Sequence, residues 1–382
     1  MATVIQSTAI FVILLFSTFS YAIDTVNIGV SLGLTGEYSV MSKAQMNGFK
    51  LWQSHINERG GLLGKKVNVI IKDDKSDPNA AKEIYEEFIT KGEAQLLFAP
   101  YSTKLTSAVL PIAERYRIPL LISGAAGDSL WEKGYKYAIG VYTPSSKFIN
   151  GFAEILLKAG IRDVAVVHAE DGFSKDLARA AQQVLFRYGL NQKALIPFNV
   201  NTVDYNDLVK AVKESNAEAI ILCVHFENAV AFIKAAEQLG LKPKALYASV
   251  GAATPEFYKA LGDKANGVFS TALWVSRVKF PGNERFYKDY LKTYGYEPPY
   301  HAALAYAAGQ VLEGAVRAAN SLDPERLRET LFKLDEMTII GRYGIDSTGK
   351  QVHQHSFITQ WQRGKMEIMW PEKVATSRPI IR

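Results

Sequence analysis

The chain has 382 residues, which exceeds the size of one ordinary hydrophobic core, so we expect two domains. Hydrophobic residues make up 48% of the chain and charged residues 21%, which is the composition of a globular protein. The net charge of +6 comes from scattered basic residues, and Lys65-Lys66 is their only adjacent pair. Without a basic patch, the chain is not expected to bind nucleic acid.

Residues 1–22 have most features of a secretion signal. The apolar run 9–16 is too short to span a bilayer, and Ser20 and Ala22 place small residues three and one positions before a cut after Ala22. No basic residue stands near the start, so an uncleaved anchor is the alternative. We expect a cleaved signal and an exported mature protein.

The first half of the chain alternates buried strands with helices. Strand 26–32 leads to a glycine-containing turn and helix 44–57, and strand 66–74 leads to a helix that begins at Pro78. Residues 96–98, 105–117 and 118–122 then form a strand, a helix and a strand, the unit that builds parallel sheets. Ligands of such sheets bind beyond the carboxyl ends of the strands.

The pattern starts again after Pro144. It predicts a helix over 147–159, then strands at 164–167, 193–198, 219–224, 244–247 and 268–272 with helices between them. Helices are expected at 282–294, 298–319 and 323–333, and two short strands at 357–361 and 365–370. We therefore predict an α/β protein of two similar lobes, each a parallel sheet flanked by helices, with the late helices returning to the first lobe.

No set of residues predicts catalysis or cofactor binding. The chain lacks a nucleophile elbow, a zinc-protease motif and a phosphate-binding P-loop, and its six histidines are scattered. Gly33 and Gly36 follow a strand, but their spacing does not match a dinucleotide fingerprint. We therefore expect neither an enzyme nor a metal or cofactor site.

Turns at the carboxyl ends of strands carry the candidate binding residues. Each has a structural alternative, because aromatic residues fill core gaps and Ser102 can cap the helix that follows it. Taken together, hydroxyls and small residues on one lobe facing aromatic residues on the other describe a ligand cleft. The candidates are Tyr38, Ser102, Thr103, Ala125 and Ala126 in the first lobe, Phe173, His225, Phe226, Ser249 and Val250 in the second, and Trp274 near a crossover.

Several motifs together give the chain a family resemblance that covers nearly all of the mature sequence. They are Ile28–Gly36, Asn47-Gly48 with Ile56–Gly61, Asp73-Asp74 with Asp77-Pro78, Pro100–Thr103, and Thr254–Phe257 with Gly262-Asp263. The chain resembles the periplasmic substrate-binding proteins of branched-chain-amino-acid-type ABC transporters, the leucine/isoleucine/valine-binding group. The resemblance implies a monomeric periplasmic protein that partners an ABC permease in the inner membrane.

The same resemblance implies the type I periplasmic binding protein fold, with a three-stranded hinge near residues 142, 272 and 341. The first lobe would comprise residues 23–142 and 273–341, and the second lobe residues 143–272 and 342–382. Closure of the hinge would trap one small molecule between the lobes. A ligand-sensing signalling protein responsive to amides or amino acids, with the same fold, is the alternative function.

Family members bind a ligand carboxylate through a serine that matches Ser102 and through backbone N–H groups that match Ala125 and Ala126. Their aromatic wall matches Phe173 and either His225 or Phe226. Amino-acid binders place an acid for the ligand ammonium near Ser249 and Val250, and this chain has none there. We therefore expect an amino-acid-like ligand, an amide, or an aliphatic or aromatic carboxylate. An amino acid would need another acid, for which the candidates are Glu170, Asp171 and Glu227.

Overall fold

A five-stranded parallel sheet forms the centre of the first lobe, with strand order β2-β1-β3-β4-β5 in the computed structural model. The structure describes residues 25–382, so the predicted signal lies outside the described residues. Four of the five strands of this sheet are mostly buried, because helices cover both faces of the sheet. The strands are β1 (Thr25–Leu32), β2 (Lys66–Asp73), β3 (Leu96–Phe98), β4 (Leu120–Ile122) and β5 (Ala138–Gly140), and the helices between them are α1 (Ser39–Glu58), α2 (Pro78–Thr90), α3 (Thr103–Tyr116) and α4 (Ser129–Glu132).

A seven-stranded sheet forms the second lobe, with strand order β14-β13-β10-β9-β8-β6-β7. Strand β13 runs in the opposite direction to the other six strands of this sheet, so it is antiparallel to both of its neighbours, β10 and β14. Its strands are β6 (Asp163–Ala169), β7 (Asn191–Phe198), β8 (Ala219–Cys223), β9 (Ala245–Ala248), β10 (Val268–Ala272), β13 (Phe357–Gln362) and β14 (Lys365–Trp370). Its helices are α5 (Asn150–Lys158), α6 (Gly172–Arg187), α7 (Asn206–Glu214), α8 (Phe226–Gln238) and α9 (Pro255–Leu261).

The segment after β10 returns to the first lobe and packs against α1. His55 on α1 lies 2.8 Å from the hydroxyl of Tyr306, and Tyr294 donates to the carbonyl of Asn47 at 3.0 Å. At Gly48 an added Cβ would lie 2.1 Å from the carbonyl oxygen of Ala302, so only glycine permits this close helix approach. The segment contains α10 (Asn283–Tyr294), α11 (Tyr300–Ala319), α12 (Pro324–Lys333) and the two-stranded sheet of β11 (Glu336–Thr338) and β12 (Gly341–Tyr343).

Three chain segments connect the lobes, and one buried side chain joins all of them. Gln354 accepts a hydrogen bond from the Thr143 hydroxyl at 2.7 Å and donates one to the carbonyl of Leu273 at 3.2 Å. We call Thr143, Gln354 and the Leu273 carbonyl the crossover bracket. The chain still contacts the first sheet after residue 341, since Gly140 of β5 donates to the carbonyl of Gly349 at 2.7 Å. The tight turn before Gly349 holds the chain against the first sheet up to that point.

The predicted α/β architecture with two sheets flanked by helices is confirmed. The helix predicted over 147–159 is shorter, because a separate 3₁₀ turn at Ser145–Lys147 precedes α5. The short elements α4, β11 and β12 were not predicted. Among residues 25–382 no helix combines the length and apolar character that a membrane crossing needs.

Candidate functional site

A small cavity lies between the two lobes, beyond the carboxyl ends of their strands. Its volume is about 10 Å³, which is about the space that one water molecule needs and far below the usual range for ligand sites. The first lobe and its crossover contribute Tyr101, Ser102, Thr103, Gly124, Ala125, Ala126 and Tyr142, and the second lobe contributes Phe173, His225 and Val250. Seven of the eleven predicted site residues line this cavity, and Tyr38 packs against its wall.

Ser102 stands at the N-terminus of α3, where it shapes one end of the cavity. Its side-chain oxygen accepts a hydrogen bond from the backbone N–H of Leu105 at 3.2 Å, and its own N–H donates to the carbonyl of Gly124 at 3.0 Å. Its φ of 83° is unusual for a residue with a side chain. The first N–H groups of this 14-residue helix also point toward the cavity end, an arrangement that favours an anion.

The turn after β4 forms the other half of this cavity end. The backbone N–H groups of Ala125 and Ala126 donate no hydrogen bond to any described residue, although both residues are buried. Buried N–H groups are rarely left without a partner in proteins. Gly127 is different, because its N–H donates to the Thr103 hydroxyl at 3.0 Å. Two unpaired amides beside a helix N-terminus are therefore available to a ligand oxygen.

The side chain of Gln45 on α1 supports the turn after β4. Its side-chain amide donates to the carbonyl of Ser123 at 3.1 Å, and its nitrogen would lie 2.5 Å from a Cβ added at Gly124. The absence of a side chain at Gly124 lets the turn lie directly on this amide. The sequence motifs did not identify Gln45, because a residue inside α1 carries no local sign that it supports a turn 78 residues away.

Aromatic rings form the cavity walls. The ring of Tyr38 lies 5.7 Å from that of Tyr101 and 5.4 Å from the His225 imidazole, and Phe173 lies 5.2 Å from the same imidazole. Burial raises the pKa of Tyr38, Tyr101 and Tyr142, so their hydroxyls stay protonated. The walls combine apolar surface with neutral hydroxyls, and the hydroxyl of Tyr38 interacts with Ser102.

His225 and Asp171 form a charged pair on the second lobe. His225 Nε2 lies 3.6 Å from Asp171 Oδ1, and Asp171 also caps α6 by accepting from the Ser174 N–H at 3.0 Å. Burial by itself would raise the pKa of Asp171 and lower that of His225, but their mutual attraction is stronger. The pKa of Asp171 falls to about 2, and that of His225 rises above its usual value. The cavity wall therefore presents an imidazole whose protonated form Asp171 favours.

Besides Tyr38, three other predicted site residues do not line the cavity. The Ser249 hydroxyl makes two hydrogen bonds to the backbone of Val224. It accepts from the Val224 N–H at 2.9 Å and donates to the Val224 carbonyl at 2.6 Å, so Ser249 joins the ends of β8 and β9. The Trp274 indole donates to Asn283 at 2.7 Å and packs on α10. Phe226 is partly buried, with its ring 6.4 Å from that of Phe257.

Three lining residues were not among the sequence candidates: Tyr101, Gly124 and Tyr142. Each follows a strand of the first sheet at its carboxyl edge, and this shared position is the signal that could have identified them. Of the acids considered for an ammonium group, Glu170 and Glu227 are exposed and neither lines the cavity. Among residues 25–382 no cluster of His, Cys, Asp or Glu has the composition to hold a metal ion.

Contacts across the cleft show that the lobes are closed on each other. Asp176 on α6 accepts a hydrogen bond from the N–H of Ser129 in the first lobe at 3.1 Å. A Cβ added at Gly251 in the second lobe would lie 3.1 Å from the terminal carbon of Met41 on α1. Tyr300 interacts with the backbone of Gly251 as well. The cavity is small because these contacts bring its two walls together.

Comparison with known proteins agrees with this architecture. Residues 25–365 match the family model described as periplasmic binding protein. A Leu/Ile/Val-binding protein homolog of Brucella abortus is 23% identical, covering 95% of this chain and 94% of that protein.

Two solved structures share the fold. The branched-chain amino acid transporter substrate-binding protein LivJ from Streptococcus pneumoniae, in complex with isoleucine, has a TM-score of 0.81 and 21% identity, covering 91% of this chain and 99% of that one. A solute-binding protein of an ABC transporter from R. palustris, in complex with benzoate, has a TM-score of 0.81 and 18% identity, covering 94% and 99%. Because the family model spans most of the chain and the two-lobed fold agrees with it, this protein belongs to the periplasmic binding protein family.

Proposed function

We propose that this protein is the periplasmic solute-binding component of an ABC importer, and that it captures a small carboxylate or amino-acid-like solute between its two lobes. The observation that carries this proposal is the pair of buried, unpaired N–H groups at Ala125 and Ala126 beside the N-terminus of α3. Such groups bind a carboxylate without a neighbouring cation. Ser102 would add a hydroxyl donor at the same end.

The ligands of the two solved structures support a solute that carries a carboxylate. Isoleucine and benzoate, the ligands in the two solved structures, differ in body but share a carboxylate. In this chain the cavity rings of Phe173, Tyr101 and Tyr142 would enclose the solute body, and its carboxylate would meet the amides of the first lobe. Hinge closure would then exclude water and strengthen every polar contact in the cavity.

The remaining steps follow from the family. The chain would be exported, its signal would be cleaved after Ala22, and the closed monomer would deliver its solute to a permease in the inner membrane. Substrate-binding proteins of this fold do not transform their ligands, and we propose that this chain binds without catalysis.

A thermal-shift screen of the mature protein, residues 23–382, tests this function. The panel holds amino acids, amides, and aliphatic and aromatic carboxylates. A solute present at about 100 times its dissociation constant should stabilise the protein by about 2.7 kcal/mol, which is a shift of a few degrees. Small-angle scattering should show a more compact protein with that solute. Turnover of a solute, or no stabilisation by any class, would contradict the proposal.

A further inference from the structure

We infer that His225 and Asp171 select a solute with a hydrogen-bond acceptor at the second-lobe end of the cavity, and that they reject an ammonium group there. The ligand class is then a hydroxy, oxo or simple carboxylic acid and not an α-amino acid. This inference rests on the proposed function and defines the ligand of the same site.

The position of His225 supports this inference. Its imidazole lines the cavity and is only 8% exposed, so its charge acts at short range with little screening by water. Its Nε2 faces Asp171 at 3.6 Å, and no described residue takes a hydrogen bond from its Nδ1. A protonated imidazole has an N–H at both nitrogens. One N–H therefore serves Asp171, and the other is available to a solute acceptor.

The surroundings favour the protonated form of His225. Asp171 is the nearest acid, and Glu37 in the first lobe acts in the same direction. Burial and Lys104 oppose protonation, but the pKa of His225 is still raised. The nearby side chains of Tyr38 and Phe173 contribute no charge.

None of the residues that line this cavity is an acid. Asp171 does not line it, and its oxygens are occupied by His225 and by the N–H and hydroxyl of Ser174. The Ser249 hydroxyl, at the position where amino-acid binders carry an acid, is bonded to the backbone of Val224. An ammonium in the closed cavity would lack a counter-charge and would meet the cationic imidazole.

Matched pairs of solutes test this inference directly. L-phenylalanine is compared with 3-phenyllactate, and L-isoleucine with 2-hydroxy-3-methylpentanoate, by calorimetry on the mature protein at pH 7. Within each pair only the ammonium is replaced by a hydroxyl. Benzoate and 4-hydroxybenzoate form a third pair that adds an acceptor to the ring. We expect each hydroxy acid to bind at least tenfold more tightly than its amino acid, and 4-hydroxybenzoate to bind more tightly than benzoate.

Two variants attribute the preference to the charged pair. His225→Gln removes the cation and should reduce the preference to within about threefold, and Asp171→Asn should act in the same direction because it removes the partner that keeps His225 protonated. His168→Gln is the matched control. His168 is a second buried histidine at the carboxyl end of a strand in the same lobe, 9% exposed, and it does not line the cavity. Its variant should keep the full preference.

Tighter binding of the amino acid in either of the first two pairs overturns the inference, as does an unchanged preference in His225→Gln when the variant is folded. If no probe acid binds but an amide or an amino acid does, the inference is wrong and the importer function stands. If no solute of any class binds and the lobes do not close, the function and the inference are both wrong.

Discussion

The ring of Tyr38 on the first lobe lies 5.4 Å from the imidazole of His225 on the second lobe. The turn that carries Tyr38 is fixed by the end of β2, where the Ser76 hydroxyl accepts from the Tyr38 N–H at 3.0 Å and Asp73 accepts from the Leu34 N–H at 2.9 Å. This ring pair spans the cleft. It therefore contributes to closure and not to the fold of either lobe.

Replacement of Tyr38 by alanine should weaken solute binding, and it should also lower the stability of the first lobe, because this buried ring packs on Tyr101. An aromatic pair contributes about 0.5–1.5 kcal/mol beyond its buried area, so we expect a loss of affinity of roughly three- to tenfold or more. Tyr38→Phe keeps the ring and should retain most of the affinity. Calorimetry with the tightest solute of the screen measures both variants, and equal affinities in Tyr38→Ala and the unmodified protein would contradict the role of this ring pair.

Gly127→Ala should obstruct closure. The added Cβ would lie 2.8 Å from Asp176 Oδ2 on the opposite lobe and 2.5 Å from Thr103 Cγ2. Overpacking of this kind costs about 1–3 kcal/mol, so we expect a decrease in affinity of about tenfold and a less compact liganded state in scattering. Gly172→Ala is the control, because its Cβ would meet Thr103 Cγ2 at an ordinary 3.9 Å. Equal affinities in the two variants would show that this contact does not limit closure.

Two substitutions at Ser102 separate its capping role from its binding role. Ser102→Ala removes the cap of α3 and keeps an unfavourable positive φ, so it should lower the free energy of unfolding by about 1 kcal/mol. Ser102→Gly also removes the hydroxyl but accepts this φ without strain, and it should be the more stable of the two. Both should bind a carboxylate more weakly, by about tenfold or more, because a bond to a charged group is lost. Unfolding in urea and calorimetry distinguish these effects.

The buried acid Asp74 should make the fold less stable as the pH rises. Burial raises its pKa to about 6, although the Ser31 hydroxyl donates to it at 2.7 Å. Its pKa in the folded chain exceeds the value of 3.8 that it has when unfolded, so the folded state binds more protons. The contribution of the Asp74 carboxyl to the free energy of unfolding is fully present below pH 3.8 and is lost as the pH rises through 6.

Urea unfolding of the ligand-free protein at pH 5 and pH 8 tests this dependence. Asp74→Asn should reduce the loss of stability between these two pH values by about 1.4 kcal/mol, since the pKa of about 6 lies one unit above pH 5 and one pKa unit corresponds to about 1.4 kcal/mol. Asp77→Asn is a contrast, because Asp77 caps α2 and its pKa is lowered by the N–H groups of Asn79 and Ala80. Asp77→Asn should not reduce the loss of stability between pH 5 and pH 8. An identical pH dependence in Asp74→Asn and the unmodified protein would contradict the assignment.

The parts of the fold that could be predicted are those that a local sequence pattern determines. The unit from β3 to β4 and the terminal strands β13 and β14 follow from apolar runs bounded by turn residues, and both sheets were expected from them. The short elements α4 and β11 contain no such apolar run bounded by turn residues, so the sequence pattern did not reveal them. The residue ranges of the two lobes remain a prediction.

The sequence predicted those site residues that directly follow a strand. It could not predict the position of a side chain that is set by tertiary packing. Ser102, Thr103 and Phe173 line the cavity as their turns suggested. Trp274 stands at a crossover as expected, but the hydrogen bond that it donates to Asn283 holds it on α10, and this partner is visible only in the folded chain. The ligand-binding role of these residues is a prediction that the variants above test.

The crossover bracket constrains how the two lobes can move relative to each other. Thr143, Leu273 and Gln354 belong to the three different segments between the lobes, yet one buried amide bonds the first to the second. If one segment bent alone, it would break a hydrogen bond that water could not readily replace. The three segments would therefore bend as a unit. For the importer component that we propose, the lobes would then rotate about one axis, and the outer surface would take two shapes, one loaded and one empty, for a permease to distinguish.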